Sequence, residues 1–563
     1  MKTIFLEIPK DKSKAITLIG FQSITFQQTT YQVCVDGELY NTQAILTKLK
    51  EADYPVPKNI EELFLFSYLF WGNQAMKEFD GAYSFIIKRE TSFVIIKDPL
   101  GLKPIFYQNN KEGISLSNRI NTILEHSQTP PVLDAEGILE LFSFGPSISE
   151  NKTLLKNIKA LPMGSMLHIR NQQMNIYQYY HLKAKKHYDS LEVTIQKVHD
   201  ILEDTIIRQS KNAHASFLSG GLDSSIITSV CARHLKNWHT YSLEYEGNRE
   251  NFVSNTYQVS LDDCFIDDMC SYTNVKHTKL CMKQEELVNL LDDALVARAT
   301  PGMADVDASL LWLTQQVKQQ EDIILSGECS DEIFGGYPWF YRSELKDIKS
   351  FPWLQATSSR IALLNKSIRD FPYEQRIQEQ YDKTLESVDY LESDTSEDRR
   401  VRAQSVLCLH WFMQTLVTRQ VCMGNAANIN IRAPFANVKL LEYVYNIPWS
   451  MKFLGNEEKG ILRKAFENEL PKRVVHRKKN PFPKTHHPLY AQLISDKLRT
   501  RFDDLNSPLH ILFDDIKLEE LICSKGDSFK DPWYGQLMSG PQLLAYIYQI
   551  EQWILHYHIQ IHI

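Results

Sequence analysis

An apolar run that breaks at two adjacent glycines and resumes as a helix constrains this chain more than any other segment. Ser216-Phe217-Leu218 reads as the end of a strand, Ser219-Gly220-Gly221-Leu222-Asp223-Ser224-Ser225 as a tight turn, and Ile226-Ile227-Thr228-Ser229-Val230 as the body of a helix. A strand entering a helix in this way is half of a βαβ unit, which implies a parallel sheet covered by helices. The glycines let the backbone turn sharply and approach an anion, and the helix start offers free N–H groups and a positive dipole end. The segment therefore predicts a phosphate or diphosphate site, with Ser219, Ser224 and Ser225 as added donors. Asp223 among phosphates requires a cation such as Mg²⁺. A glycine turn that only caps a helix is the competing reading.

A second segment has the same form. After the apolar run that ends at Leu325 come Ser326-Gly327-Glu328-Cys329-Ser330-Asp331-Glu332-Ile333-Phe334-Gly335-Gly336-Tyr337. Three carboxylates at a strand's C-terminal end fall in the crevice where open α/β sheets bind ligands. One can hold metal and another can move protons; alternatively the loop merely caps the next helix. A third segment, Gly455-Asn456-Glu457-Glu458-Lys459-Gly460-Ile461-Leu462-Arg463, puts a lysine at a helical start, and a lone lysine there is ordinarily solvated.

These segments belong to a chain of 563 residues, long enough for two or three domains. Up to about residue 125, runs such as YQVCV, AYSFIIK and FVIIK predict a β-rich α+β unit with one helix near Thr42 to Glu51. From about residue 185, helical stretches alternate with short apolar runs, which predicts parallel strands with crossover helices. The boundary falls near residues 170 to 190, and the mixed charges of 345–400 read as a solvated helical surface. A net charge of −7 offers no general field for a polyanion, so nucleic acid is not an expected partner. The nine cysteines show no CxxC pair and no zinc spacing and read as reduced thiols. The start lacks the apolar core of a secretory signal, and no window approaches the roughly 18 apolar residues of a spanning helix. A cytoplasmic protein without a membrane partner is expected.

Together these residues resemble the asparagine synthetase family, which joins a glutaminase-type domain to an ATP-pyrophosphatase domain. Val35-Asp36-Gly37-Glu38-Leu39-Tyr40-Asn41 is similar to the family's NGELYN segment, Asp80-Gly81-Ala82-Tyr83-Ser84-Phe85 to DGxFAF, and Lys97-Asp98-Pro99-Leu100-Gly101-Leu102-Lys103-Pro104 to RDPLGxKP. The glycine loops, Pro301-Gly302-Met303-Ala304-Asp305-Val306-Asp307, Arg432-Ala433-Pro434-Phe435 and the Lys459 segment follow in the family's order. The resemblance implies α+β and α/β architecture: an Ntn-hydrolase-like β-sandwich over 1–180, then a parallel-sheet adenine-nucleotide α-hydrolase-like (ATP-pyrophosphatase) domain over 185–563. It implies ATP and Mg²⁺, and a carboxylate, with aspartate first in line, activated as an acyl-adenylate and captured by a nitrogen nucleophile. It assigns Ser219, Gly220, Gly221, Asp223, Ser224 and Ser225, with Ser326 and Gly327, to the diphosphate. Asp223 and Asp331 fall to the metal, and Leu218 and Leu243 to the adenine. Glu328 becomes the base near the amine, Lys459 the charge beside the leaving diphosphate, and Arg419 and Arg432 contacts to the acid. A homodimer or biosynthetic partner proteins are compatible with it.

The chain also departs from that pattern. The family's nucleophile is a cysteine exposed at the N-terminus, whereas position 2 is Lys2 and the first cysteine is Cys34 inside a predicted strand. The family's RLxIxD arginine has no counterpart, and the NGELYN asparagine, an oxyanion donor, is Asp36, which would repel that charge. The expectation is a domain that does not hydrolyse glutamine, unless the N-terminus is truncated. On the acid side, Arg419-Gln420-Val421-Cys422-Met423 and Asn430-Ile431-Arg432 carry fewer charges than the family's run, so aspartate is not secured. Relatives with inactive N-terminal domains close β-lactam or lasso-peptide rings, but the β-lactam formers replace the Glu328 carboxylate by tyrosine. The basic run Lys472 to Asn480, with His486 and His487, reads as an anion patch or, preferably, a solvated lid beside the nucleotide. The histidines near the C-terminus, His556, His558 and His562, read as an ordered or frayed end rather than metal ligands.

Overall fold

Period-two alternation organises the N-terminal part of the chain. In the strands Thr29–Leu39, Gly81–Arg89 and Ser92–Lys97, the residues Val33, Val35, Phe85, Ile87 and Ile96 share one core with Ile45, Leu49, Leu63 and Phe64 of the helices Thr42–Glu51 and Ile60–Trp71. The intervening Cys34, Ile86 and Ile95 enter a second core with Ile4, Leu6, Ile114 and Leu116. Successive side chains of a strand point to opposite faces, so one sheet separates a helical layer from a second sheet. The two sheets are a six-stranded one and a five-stranded one, paired by antiparallel ladders among their described strands. This is the expected Ntn-type sandwich, with more helix than the sequence suggested. Ile60–Trp71 went unforeseen because IEELFLFSYLFW is apolar nearly all round, which erases the 3.6-residue period; the Asn59 side chain caps it by accepting from the Glu62 N–H.

The computed structural model describes residues 2–563 except 12, 255–257, 259, 531 and 537. The chain divides into two units, Met1–Leu133 with Ser149–Leu182, and Asp134–Ile148 with Lys183–Ile563. The segment Asp134–Ile148 thus belongs to the second unit. Its helix Ala135–Phe144 packs Phe144 against Trp411 at a tilt of 45°, with ring centroids 4.8 Å apart, and sets Phe142 edge-on to Phe513 at 5.7 Å.

The second unit is built on a five-stranded sheet, ordered Lys276–Met282, His239–Tyr245, Ala215–Phe217, Ile323–Leu325, Asn430–Arg432, with every neighbouring pair parallel. Helices such as Leu222–His234, Asp263–Thr273 and Asp305–Lys318 supply the crossovers. The earliest of these five strands in the chain, Ala215–Phe217, lies centrally, and the sheet grows outward from it in both directions. The connection reverses between Ala215–Phe217 and Ile323–Leu325, and at such a switch point two loops leave in opposite directions and open a crevice. Those two loops are the glycine-bearing segments. The 345–400 segment is less solvated than expected: Arg360 is buried and donates to the carbonyls of Phe142 and Ser143.

Candidate active site

Both loops line one cavity of about 220 Å³ at the C-terminal ends of the central strands, far more than the ~15 Å³ that a single water needs on the same measure. Gly220 adopts φ +66°, and a Cβ there would fall 2.6 Å from the Phe265 Cβ, so no other residue fits the turn. The following helix begins at Leu222 with Gly221 as its N-cap and no side chain capping it. Ser224 Oγ accepts from the Ser219 N–H at 3.1 Å, which folds the turn back on itself. The outcome is a cradle of backbone N–H groups at a positive helix end, suited to a diphosphate. Leu218 and Leu243 line the same cavity beside it.

The two loops are joined by a charge cluster. Ser330 Oγ donates to Asp223 Oδ1 at 2.6 Å. The Lys459 ammonium lies 2.6 Å from Asp223 Oδ2 and 2.6 Å from Asp331 Oδ1, and Lys479 Nζ lies 2.7 Å from Asp331 Oδ2. Lys459 reaches this point because it occupies the left-handed region, φ +55°, at the start of the helix Gly460–Ala465. Burial alone would raise the Asp331 carboxyl, but Lys459 and Lys479 override it and hold it below the usual carboxylate range. Glu332 goes the other way: burial and the neighbouring Asp331 push it up to about 8, and Tyr337 donates to it at 2.6 Å. Two carboxylates converging on one cation are a donor set that fits Mg²⁺, which takes one or two carboxylates and completes its shell with phosphate oxygens and water.

Opposite, Glu328 accepts from Arg419 Nη2 at 2.5 Å. Arg419 is buried, its guanidinium 4.9 Å from the Phe482 ring centroid. It belongs to a continuous helical stretch, Ser396–Leu407, Cys408–Phe412 and Met413–Ala426, whose middle section is a π-turn. Such turns shift the register of the side chains that follow and occur often at functional sites.

In the first unit the family-like residues form a different cluster. Asn118 donates to Asp36 Oδ2 at 2.7 Å and to the Lys2 carbonyl at 3.0 Å, and accepts from the Ile4 N–H. Lys103 Nζ is 3.7 Å from Asp36 Oδ1, and Lys2 pairs with Glu61. Cys34 faces the inter-sheet core, where burial pushes its thiol up to about 12.

Of the residues singled out from sequence, Leu218, Ser219, Gly221, Asp223, Ser224, Leu243, Ser326, Gly327, Glu328, Asp331, Arg419 and Lys459 line the one cavity. Gly220 shapes the turn from behind, and Ser225 is fully buried in the helix. Arg432 is not among the lining residues; its guanidinium donates to the carbonyls of Gln209 and Lys211 at 2.6 and 2.7 Å and holds the end of the helix Leu191–Gln209 against the sheet. The basic run is solvated only in part: Lys472, Arg473 and His476 are exposed as expected, and its end borders the cavity. Lys478 is exposed, but Arg477 is buried and bonds the Ser219 carbonyl and Asp262, and Lys479 turns inward to Asp331. The alternation of inward and outward side chains along 477–479 was the available signal, hidden in a row of like charges.

Two family models match the chain: Asparagine synthase over residues 197–554 and Glutamine amidotransferase domain over residues 15–180. The chain is 38% identical to asparagine synthetase [glutamine-hydrolyzing] 3 of Bacillus subtilis, covering 95% of this chain and 89% of the relative. It is 23% identical to asparagine synthetase [glutamine-hydrolyzing] 1 of the same organism over 91% of this chain and 85% of that one. The asparagine synthetase [glutamine-hydrolyzing] of Mesocricetus auratus is 23% identical over 83% and 74%. With a family model spanning most of the chain and a relative this similar along nearly its whole length, the protein belongs to the asparagine synthase family of ATP-dependent carbon–nitrogen ligases.

Proposed function

We propose that this ligase activates a carboxylate as an acyl-adenylate and passes the acyl group to ammonia or another amine, without hydrolysing glutamine in its own first unit. A carboxylate oxygen attacks the α-phosphorus of ATP as the bond to diphosphate breaks. The amine nitrogen then attacks the acyl carbon, its proton passes to Glu328, and AMP leaves with the electrons of the broken C–O bond. The observation that carries this reading is the convergence of Lys459 on Asp223 and Asp331 beside an uncapped helix start. The cradle binds the departing diphosphate, and Lys459 neutralises its developing charge, an electrostatic contribution. Mg²⁺ at Asp223 and Asp331 would withdraw charge from the same oxygens.

The glutaminase relatives are named for glutamine hydrolysis; in this chain Asp36 stands where their oxyanion donor belongs, and Cys34 is sealed in a core with its thiol pushed up to about 12. Lys2 is held by Glu61 and Asn118. None of these groups supplies a thiolate nucleophile.

Product analysis tests the reading, with aspartate as the first acid and ammonium as the nitrogen source. AMP and pyrophosphate formed in step with the amide are expected; ADP and phosphate in their place would overturn it.

A further inference from the structure

We infer that the second unit binds a small oxyanion, carried by a phosphate or a short dicarboxylate, in a cavity apart from the active site, with Lys452 as its buried anchor. The inference is independent of the acyl-adenylate reading.

A cavity of about 120 Å³ lies where the segment Lys185-Lys186-His187, the helix Ser396–Leu407 and the short helix Trp449–Lys452 meet. All of these belong to the second unit, and the cavity shares no lining residue with the active site. Against the ~15 Å³ that one water needs on this measure, there is room for a phosphate or a short dicarboxylate.

The charges around it do not cancel. Lys185, Lys186, Arg402 and Lys452 line the cavity against two carboxylates, Asp394 and Asp398. Both carboxylates are already engaged. Asp394 accepts from Arg402 Nε at 2.9 Å and Nη2 at 3.4 Å, and from the Leu391 N–H at 2.9 Å. Asp398 accepts from the Thr395 hydroxyl at 2.6 Å and the Trp449 N–H at 3.1 Å. Arg402 is engaged as well, its Nη1 donating to Asn446 Oδ1 at 3.0 Å. Lys185 reaches to Glu442 at 3.4 Å. His187 is bonded to the Thr194 hydroxyl at 2.8 Å, and burial holds its ring below the ordinary histidine value, so it adds no charge at pH 7. Two cations are left over: Lys186, exposed and 5.4 Å from the Tyr188 ring centroid, and Lys452.

Lys452 is the decisive group. It is 3% exposed, and its ammonium makes no hydrogen bond or ion pair with any described residue. Burial and the like charge of Arg402 outweigh the attraction of Asp398 and hold it down at about 7. A cation withdrawn from water calls for a partner. An oxyanion seated between Lys452 and Lys186 supplies it through a charge-assisted hydrogen bond. A metal ion finds no such welcome, since the excess charge is positive and both carboxylates are spent.

Calorimetric titration of the full-length protein at pH 7 tests the site, with inorganic phosphate and malonate as probes. Mg²⁺ and a non-hydrolysable ATP analogue are kept saturating so that the glycine cradle is filled. Binding of at least one anion is expected; preference for phosphate assigns a phosphorylated ligand, and preference for malonate a dicarboxylic one. Lys452→Met should weaken that binding about tenfold or more, as loss of a charged hydrogen bond does. Because methionine removes an unpaired buried cation, this variant should melt no lower than the wild type in buffer free of both anions. Lys186→Ala, at an exposed position, should weaken binding about threefold. Binding of neither anion overturns the inference, and so does an affinity unchanged in both variants, which would mark an adventitious ion only.

Discussion

Glu328 and Arg419 share one short ion pair, yet only the arginine is shielded, with side-chain exposures of 24% and 2%. The carboxylate thus keeps a face toward the cavity while its partner fixes its direction. Replacing Glu328 by alanine would strand a buried guanidinium, so the informative variant is Glu328→Gln, which retains an oxygen for Arg419 but cannot take a proton. ATP–pyrophosphate exchange should persist while amide formation falls by roughly 10²- to 10⁴-fold; parallel loss of both steps would remove Glu328 from the second. Glu332 gives a prediction in pH. Its carboxyl, ordinarily near 4.5, is held up at about 8 by burial and Asp331. Between those values the folded chain binds a proton that the unfolded chain has lost, so stability falls as pH rises, by at most about 1.4 kcal/mol per pH unit, and levels off above the higher value. Thermal denaturation from pH 5 to 9 should show Glu332→Gln, which still accepts from Tyr337, gaining on the wild type up to about pH 8. Melting temperatures that run parallel across the range would contradict the raised value.

At the scale of elements, the site depends on how closely the acidic loop and the lysine-bearing helix start approach. A Cβ at Gly336 would fall 2.0 Å from Asp331 Oδ1 and 2.3 Å from Lys459 Cε. Gly336→Ala should therefore separate the acidic loop from Lys459, cutting pyrophosphate formation by about tenfold or more while secondary structure by circular dichroism stays unchanged; full activity in this variant would show that the cluster tolerates displacement. The two strand–glycine–helix units were legible in the sequence because their chemistry is local: Gly220, Asp223 and Glu328 each declare a role within a few residues of a strand end. Lys479 and Arg477 were not, since inward and outward charges of one sign look alike until the chain folds around Asp331 and Asp262. Arg432 misled for the converse reason, because an arginine next to a site and one that ties a strand to a helix end have the same sequence signature. The helix Ile60–Trp71 was lost to its own burial, which left no polar face to set a period.

For the molecule as a whole, nitrogen supply separates the two units. If the first is no longer a glutaminase, ammonium should support turnover, glutamine at equal concentration should not, and no glutamate should be released. Asp36→Asn alone should leave this unchanged, because restoring an oxyanion donor supplies no exposed thiol. Glutamate release by the wild-type chain, followed by coupled assay, would restore the family's usual division of labour.

The chain passes from the first unit into the second at residue 134, returns at 149 and leaves again at 183. A gene split at the apparent seam after Leu182 would thus express a ligase half stripped of the helix Ala135–Phe144, with Trp411 losing the Phe144 ring and Phe513 losing the Phe142 ring. Evolution by clean loss of the N-terminal half is closed to such a topology, whatever chemistry that half performs, because its departure would carry away part of its neighbour's interior.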